Sequence, residues 1–478
     1  MTMDRRAFAR MGAFGAASLA AAPLLSGCAR STGDALDVLI VGGGLSGLAA
    51  GWELHKGGFR DFKVIEARDR VGGRTLNQTV NGAPVESGAT WVGPGQTAIY
   101  DLCRELGIGT FHAHWTGDAQ LVEGGVVHRL SGDLGPPIQN PALLAKLEAL
   151  AKTVPVEAPW TAPNAAALDA RTFGQFLLDE GMPREEFHVF NLFAAQTFGA
   201  RPDQLSLLFV LHYIHAAGSY TLLESMDGGA QQDRIVGGSQ APSLALRERL
   251  GDAVRLASPV TKISNWNGGG PVRIETADGV IKARRVILAL SPSQAAEIAF
   301  DPPLPPERQA ILDGWPRGGS GFTMHFGYRK PFWRDAGLSG LAVELLGDIS
   351  MLIADLSPPD GSTGIIKTLG LAGIGGPPEA RKEAALRTLV KCFGPEAATP
   401  TEWVFQDWSK ERYTRGCVSP IGPGFLSKVK VGLGAPTGAL HWAGTETSTI
   451  WMGYMDGAVR AGRRAAIEAL GMLAGGGA

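Results

Sequence analysis

Charge is scarce in this chain: Asp, Glu, Lys and Arg make up 19% of its 478 residues and leave a net charge of −2. A balance so near neutral gives no electrostatic footprint for nucleic acid. Cysteine is scarcer still. Cys28, Cys103, Cys392 and Cys417 stand far apart, in neither a metal-ligand spacing nor a disulfide framework. Cys103 and Cys392 sit among apolar neighbours and read as small buried residues. No solenoid repeat occurs, and the 66 glycines and 30 prolines are spread along the chain rather than gathered into one low-complexity block. The uncharged stretch at 11–26 is short for a membrane span and rich in Ala and Gly. What remains is a globular chain, 45% hydrophobic, long enough for two or three domains.

The most informative stretch runs from 36 to 75. Val38, Leu39, Ile40 and Val41 form an apolar run suited to a strand buried on both faces. Gly42, Gly44 and Gly47 follow as G-x-G-x-x-G, then a helix-compatible segment, then Lys63-Val64-Ile65 and the terminal acid Glu66. Each part has a task. Gly42 permits a tight turn, Gly44 lets backbone approach a pyrophosphate, and Gly47 lets the helix pack on the strand. The helix N-terminus favours phosphate, and the acid accepts hydrogen bonds from a ribose. A lone glycine motif is weak, but here strand, helix, second strand and acid stand in order. The chain is expected to bind a dinucleotide.

The N-terminus reads as targeting rather than fold. Arg5-Arg6 in Asp4-Arg5-Arg6-Ala7-Phe8 resembles a twin-arginine signal, and Leu25-Ser26-Gly27-Cys28 resembles a lipoprotein processing box. The expectation is an export signal over 1–30, a lipid on Cys28 and a periplasmic or cell-envelope location.

Downstream, helical periodicity at 141–154 and 172–180 and an apolar segment at 202–217 predict a mostly helical insertion. Gly237-Gly238-Ser239 marks a return to the nucleotide unit, where a helix leads into the stretches 253–256 and 260–263, with strands predicted at 272–276 and 285–290. Further strands are predicted at 321–328, 340–345 and 365–371, and helices at 378–392 and 458–470. The expected fold class is α/β, a Rossmann-like dinucleotide domain (35–111, 235–291, 411–470) interleaved with an α+β substrate domain (112–234, 292–410) and ending in a tail at 471–478.

Taken with Glu66-Ala67-Arg68-Asp69-Arg70-Val71-Gly72-Gly73-Arg74-Thr75, Asp301-Pro302-Pro303, Pro331-Phe332-Trp333, Ala443-Gly444-Thr445-Glu446-Thr447 and Gly453-Tyr454-Met455, the chain resembles the flavin monoamine oxidase family from about residue 37 to 470. That resemblance implies FAD and a small-molecule amine substrate, with oxygen or a respiratory carrier as electron acceptor. It implies that Gly42, Gly44 and Gly47 hold the pyrophosphate and Glu66 the ribose. The segment carrying Arg68, Gly73 and Arg74 would contact phosphates and ribose, and Val260 the adenine. Glu446 would meet the ribityl chain and Met455 the pyrimidine end of the flavin, where a helix dipole supports negative charge. Tyr454 matches one wall of the family's aromatic cage and Trp408 a flavin-side tryptophan. Gln231 falls where some members place a pocket amide, although a surface turn fits it equally.

Two positions depart from the family. Val418 stands where the second aromatic wall would be, and Glu297 where a lysine beside the flavin assists reoxidation. Cys417 matches the cysteine that some members join covalently to FAD; a free thiol is the alternative. The resemblance implies an FAD-dependent amine oxidoreductase, the N-terminal signal adds the expectation of export, and a second copy of the chain is a further expected partner. A flavin desaturase or oxidase of a non-amine, and a non-catalytic FAD-binding protein, remain the alternatives at this point.

Overall fold

A computed structural model describes residues 35–132, 140–184, 187–317, 321–346, 349–371, 376–414 and 419–475. The export signal expected over 1–30, Cys28, Cys417 and Val418 lie outside the described residues.

The strand Leu36–Val41 is the centre of an eight-stranded sheet. It pairs in parallel with Phe62–Ile65 on one side and Gly279–Leu288 on the other. Leu440–Trp442 adds a further parallel partner to Gly279–Leu288, while Val272–Thr276 and Val260–Ser264 continue the sheet antiparallel. Val38 to Val41 are buried, as a strand covered on both faces requires. One face is covered by the helices Leu45–Lys56 and Met455–Gly475, from opposite ends of the chain. Their approach is close: a Cβ on Gly462 would stand 2.1 Å from the Ser46 carbonyl oxygen. Ser46 Oγ donates to the Ala443 carbonyl, closing the same contact.

A second, seven-stranded sheet runs in the order Glu402–Asp407, Gly321–Tyr328, Gly364–Leu371, Ile349–Asp355, Leu338–Leu346, Asp118–Glu123 and Val126–Leu130. The region read as a mostly helical insertion therefore opens with two strands. They form a hairpin around Gly124 and Gly125, both at positive φ, which join this sheet before the helices begin. The strand predicted at 285–290 starts earlier and ends sooner, spanning Gly279–Leu288. The last helix runs to Gly475, so most of the expected tail is helical.

The helices Phe173–Asp179, His188–Phe198 and Leu207–Ala217 enclose an aromatic core. Phe173, Phe190, Phe193, Phe198, Phe209 and Tyr220 pack there largely edge to face, the arrangement that ring quadrupoles favour. Cys103 and Cys392 are buried as expected, and burial pushes both thiols up to about 12. No helix among the described residues is long and apolar enough to cross a membrane.

Candidate active site

The parallel strands end at Val41 and Ile65, and one cleft runs past those ends, where open α/β sheets place their ligands. Its walls include Gly42, Gly44, Glu66, Arg68, Gly73, Arg74, Val260, Glu297, Glu446, Tyr454 and Met455. Residues from four separate stretches of sequence thus meet in one site.

At the first turn, Gly42 has φ +107°, and a Cβ on Gly47 would stand 1.9 Å from the Gly42 carbonyl oxygen. Gly47 therefore lies behind the cleft, as a packing residue. Gly44 differs: a Cβ there would meet no protein atom closer than 3.9 Å. Nothing in the fold needs it bare, so the space it leaves belongs to a ligand. Gly44 is also the N-cap of Leu45–Lys56, with no side-chain cap and no acid in the first turn. That helix end is open to an anion.

Glu66 is 4% exposed. Its Oε2 accepts from Gly43 N at 2.7 Å and its Oε1 from Arg68 N at 2.9 Å, so backbone fixes the carboxylate at the cleft edge. Arg68 reaches away to Glu411 and to Thr414 Oγ1. Arg74 Nη1 meets Glu446 Oε1 at 2.7 Å, while Glu446 Oε2 is buried with no partner. A buried carboxylate oxygen left open costs free energy, and a hydroxylated ligand chain in the cleft would satisfy it. An open helix N-terminus, a bare glycine, a fixed acid and an orphaned acceptor along one cleft fit FAD. Among the described residues no group of His, Cys, Asp and Glu could hold a metal ion.

Tyr454 ends the cleft just before the helix that starts at Met455. Trp451 packs edge-on to it at 4.9 Å between centroids, and Tyr213 lies 6.2 Å away. Thr445 holds the turn by donating to the Tyr454 carbonyl and accepting from Gly453 N. Burial first, and then the Glu224 charge, raise the Tyr454 hydroxyl well above its ordinary value, so it stays a neutral phenol. Trp408, by contrast, is not on the cleft wall. It is 2% exposed, donates from Nε1 to the Ser87 carbonyl at 2.7 Å and braces the loop that brings Ala89 to the cleft. Gln231 also sits off the wall; its Nε2 holds the Leu223 carbonyl at 2.9 Å.

Glu297 does line the cleft, and Arg317 pairs with it at 3.1 Å. Sequence reasoning missed Arg317 and likewise Thr445, Tyr413 and Trp315, which lie on or against the wall. Gly444-Thr445-Glu446 was visible as a motif; the other residues carry no local signal. Thr414 and Ser419, on either side of 415–418, both line the cleft.

Replacing Glu66 by Ala removes the acceptor for two backbone donors. Charge-assisted hydrogen bonds of this kind contribute about 1.5–3 kcal/mol. The change, made in a Cys417→Ala background so that a covalent link cannot mask it, should weaken FAD binding by roughly 10- to 100-fold. Equilibrium dialysis of the flavin checks this, and an unchanged dissociation constant would remove Glu66 from the site.

The model of the flavin containing amine oxidoreductase family matches residues 45–470. The flavin-containing amine oxidase B of Sus scrofa is 35% identical, over 91% of this chain and 86% of its own. Among solved structures, the cyclohexylamine oxidase of Brevibacterium oxydans superposes with a TM-score of 0.85 at 30% identity, covering 92% of this chain and 99% of that one. A putrescine oxidase bound to putrescine gives 0.83 at 30% identity, over 91% and 99%. A cleft shaped for FAD with a tyrosine at its far end is thus joined to similarity along nearly the whole chain: the protein belongs to the flavin-containing amine oxidoreductases and is an FAD-dependent amine oxidase.

Proposed function

We propose that this enzyme oxidises a small amine at the Tyr454 end of the cleft, giving an imine that hydrolyses to a carbonyl compound. The observation that carries the reading is the continuity of one cleft from the glycine turn to the Tyr454 ring. Bound FAD supplies the hydride acceptor for the amine α-carbon. The protein's task is then to orient that carbon and exclude water. Tyr454, braced by Trp451, offers a neutral aromatic face to the amine. Backbone N–H groups at the open start of Leu45–Lys56 and the Arg74 guanidinium offset phosphate charge. The start of the helix at Met455 directs its positive end toward the same cleft. Anaerobic mixing with a panel of amines should bleach the flavin absorbance for at least one of them; a flavin that no amine bleaches would overturn the reading.

The acceptor is a separate matter. Glu297, paired with Arg317 at 3.1 Å, stands where the family resemblance implies a lysine, so an acid replaces a cation there. The reading is that oxygen reoxidises this enzyme slowly and a respiratory quinone or cytochrome takes the electrons. Rapid mixing of the amine-reduced enzyme with air-saturated buffer checks it. Reoxidation as fast as turnover would mark an ordinary oxidase, and Glu297→Lys should raise the oxygen rate.

Such an acceptor suits an enzyme outside the cytoplasmic membrane, which Arg5-Arg6 and the Cys28 box support. Replacing both arginines by lysine should leave the protein in the cytoplasm of its host, read by cell fractionation. Normal export of that variant would refute the assignment.

A further inference from the structure

Arg68 lines the cleft two residues beyond the acid Glu66, in the segment that the resemblance assigns to phosphate and ribose. Its guanidinium is directed elsewhere. Nε donates to Glu411 Oε2 at 3.2 Å, and Nη2 lies 3.1 Å from the same oxygen. Nη2 also donates to Thr414 Oγ1 at 2.5 Å, and Nη1 lies 3.6 Å from Glu66 Oε1. Each nitrogen of the guanidinium therefore faces an oxygen of the protein. Arg70 joins the group, with Nη2 3.6 Å from Glu411 Oε2 and Nη1 donating to the Gly73 carbonyl at 3.0 Å. Two arginines meet two glutamates, so these four charges cancel within the fold.

What Arg68 holds is a turn from a distant part of the chain, 343 positions away at Glu411. Glu411 N donates to the Trp408 carbonyl at 3.3 Å and Thr414 N to the Glu411 carbonyl at 3.0 Å, which closes the turn on itself. Gln406 Nε2 steadies Glu411 by donating to Oε1 at 3.2 Å. Tyr413 and Thr414 line the cleft, whereas Glu411 stands behind its wall. The Arg68 guanidinium also lies 5.7 Å from the centre of the Tyr413 ring, within reach of a cation–π contact. These ties run outward from the buried Glu66: the Arg68 side chain is 11% exposed and that of Glu411 26%. Ion pairs so enclosed are screened far less than surface pairs, and they fix where the turn lies.

We propose that Arg68 is a positioning residue for the cofactor rather than a phosphate ligand: through Glu411 and Thr414 it holds the turn 411–414 so that Tyr413 and Thr414 complete the cleft beside Glu66. A phosphate facing Arg68 would have to compete with carboxylate bonds already in place, which are among the strong ones. The phosphates have the open N-terminus of Leu45–Lys56 instead. The planar fork of an arginine reaches a carboxylate and a hydroxyl together, where the ammonium of a lysine is a point charge. Cofactor retention therefore depends on Glu411, a residue that does not itself line the cleft.

The test is the dissociation constant of FAD by equilibrium dialysis, with every variant made in the Cys417→Ala background. Glu411→Gln decides by sign. It should weaken FAD binding by about 10-fold, near the value of one charge-assisted hydrogen bond, and Arg68→Met should do the same. The double variant should bind FAD no worse than either single one, because both changes release the same turn. Arg68→Lys should not restore binding, and Thr414→Val, the mildest change, should give a smaller loss in the same direction. With FAD saturating, each variant should keep the flavin spectrum and melting temperature of the parent. Were Arg68 a phosphate ligand, Glu411→Gln would free its guanidinium and leave FAD binding unchanged or tighter; either result overturns the proposal. Full recovery in Arg68→Lys would overturn it too, since a point charge would then suffice. So would a saturated variant with an altered spectrum or a lowered melting temperature, by assigning these contacts to the stability of the fold.

Discussion

The site depends on backbone meeting backbone without side chains between. Gly47 lets the first helix lie against the Gly42 carbonyl, and Gly462 lets the last helix lie against the Ser46 carbonyl. Because both contacts are made on the same helix, the two ends of the chain are locked together across it. Ser46 reaches the Ala443 carbonyl, a contact between residues 397 positions apart. Everything that the last segment carries, from Glu446 to Met455, is thereby delivered to the cleft that the first glycine turn opens. Enlarging either glycine forces the helices apart, and overpacking of this kind costs about 1–3 kcal/mol. The larger consequence would be geometric, because the separation of the two cleft ends sets which cofactor fits.

A second constraint lies against the seven-stranded sheet, on its strands Gly321–Tyr328 and Gly364–Leu371. Glu86, fully buried, pairs with Arg234 at 2.9 Å. The Glu86 carbonyl also accepts from Lys367 Nζ at 3.0 Å and lies 3.2 Å from His325 Nε2. Desolvation, with the adjacent Lys367 charge, lowers the His325 pKa, so the imidazole is neutral in this network. Buried pairs of this kind bring little net stability once desolvation is counted. Their value is positional. The carbonyls they hold belong to the loop that Trp408 braces and that brings Ala89 to the cleft. Trp408 thus acts on the site through the loop it braces.

The strand, glycine turn, helix and acid of the nucleotide unit were legible because each is a local signal and their order is meaningful. The closing motif was legible for the same reason. The hairpin Asp118–Glu123 and Val126–Leu130 could have been read from its Gly124-Gly125 turn between alternating strands, but the helical pattern that follows dominated the reading. Ile349–Asp355 is an apolar run that periodicity cannot separate from buried helix. What could not be read locally is pairing. Nothing near Glu297 announces Arg317.

Three carboxylates along the cleft show how the fold distinguishes structure from ligand. Glu66 has both oxygens engaged by backbone donors, so its position is fixed before any ligand arrives. Glu446 has one oxygen on Arg74 and one buried and open, a half-finished contact that a cofactor hydroxyl completes. Glu297 faces a partly exposed arginine, where solvent screens the pair and the energy gained is small. The degree to which each acid is satisfied within the fold sets what it can give a ligand: orientation at Glu66, one hydrogen bond at Glu446 and little at Glu297. The hold on the cofactor therefore comes from the acid the fold leaves incomplete, and the paired ones keep it in place.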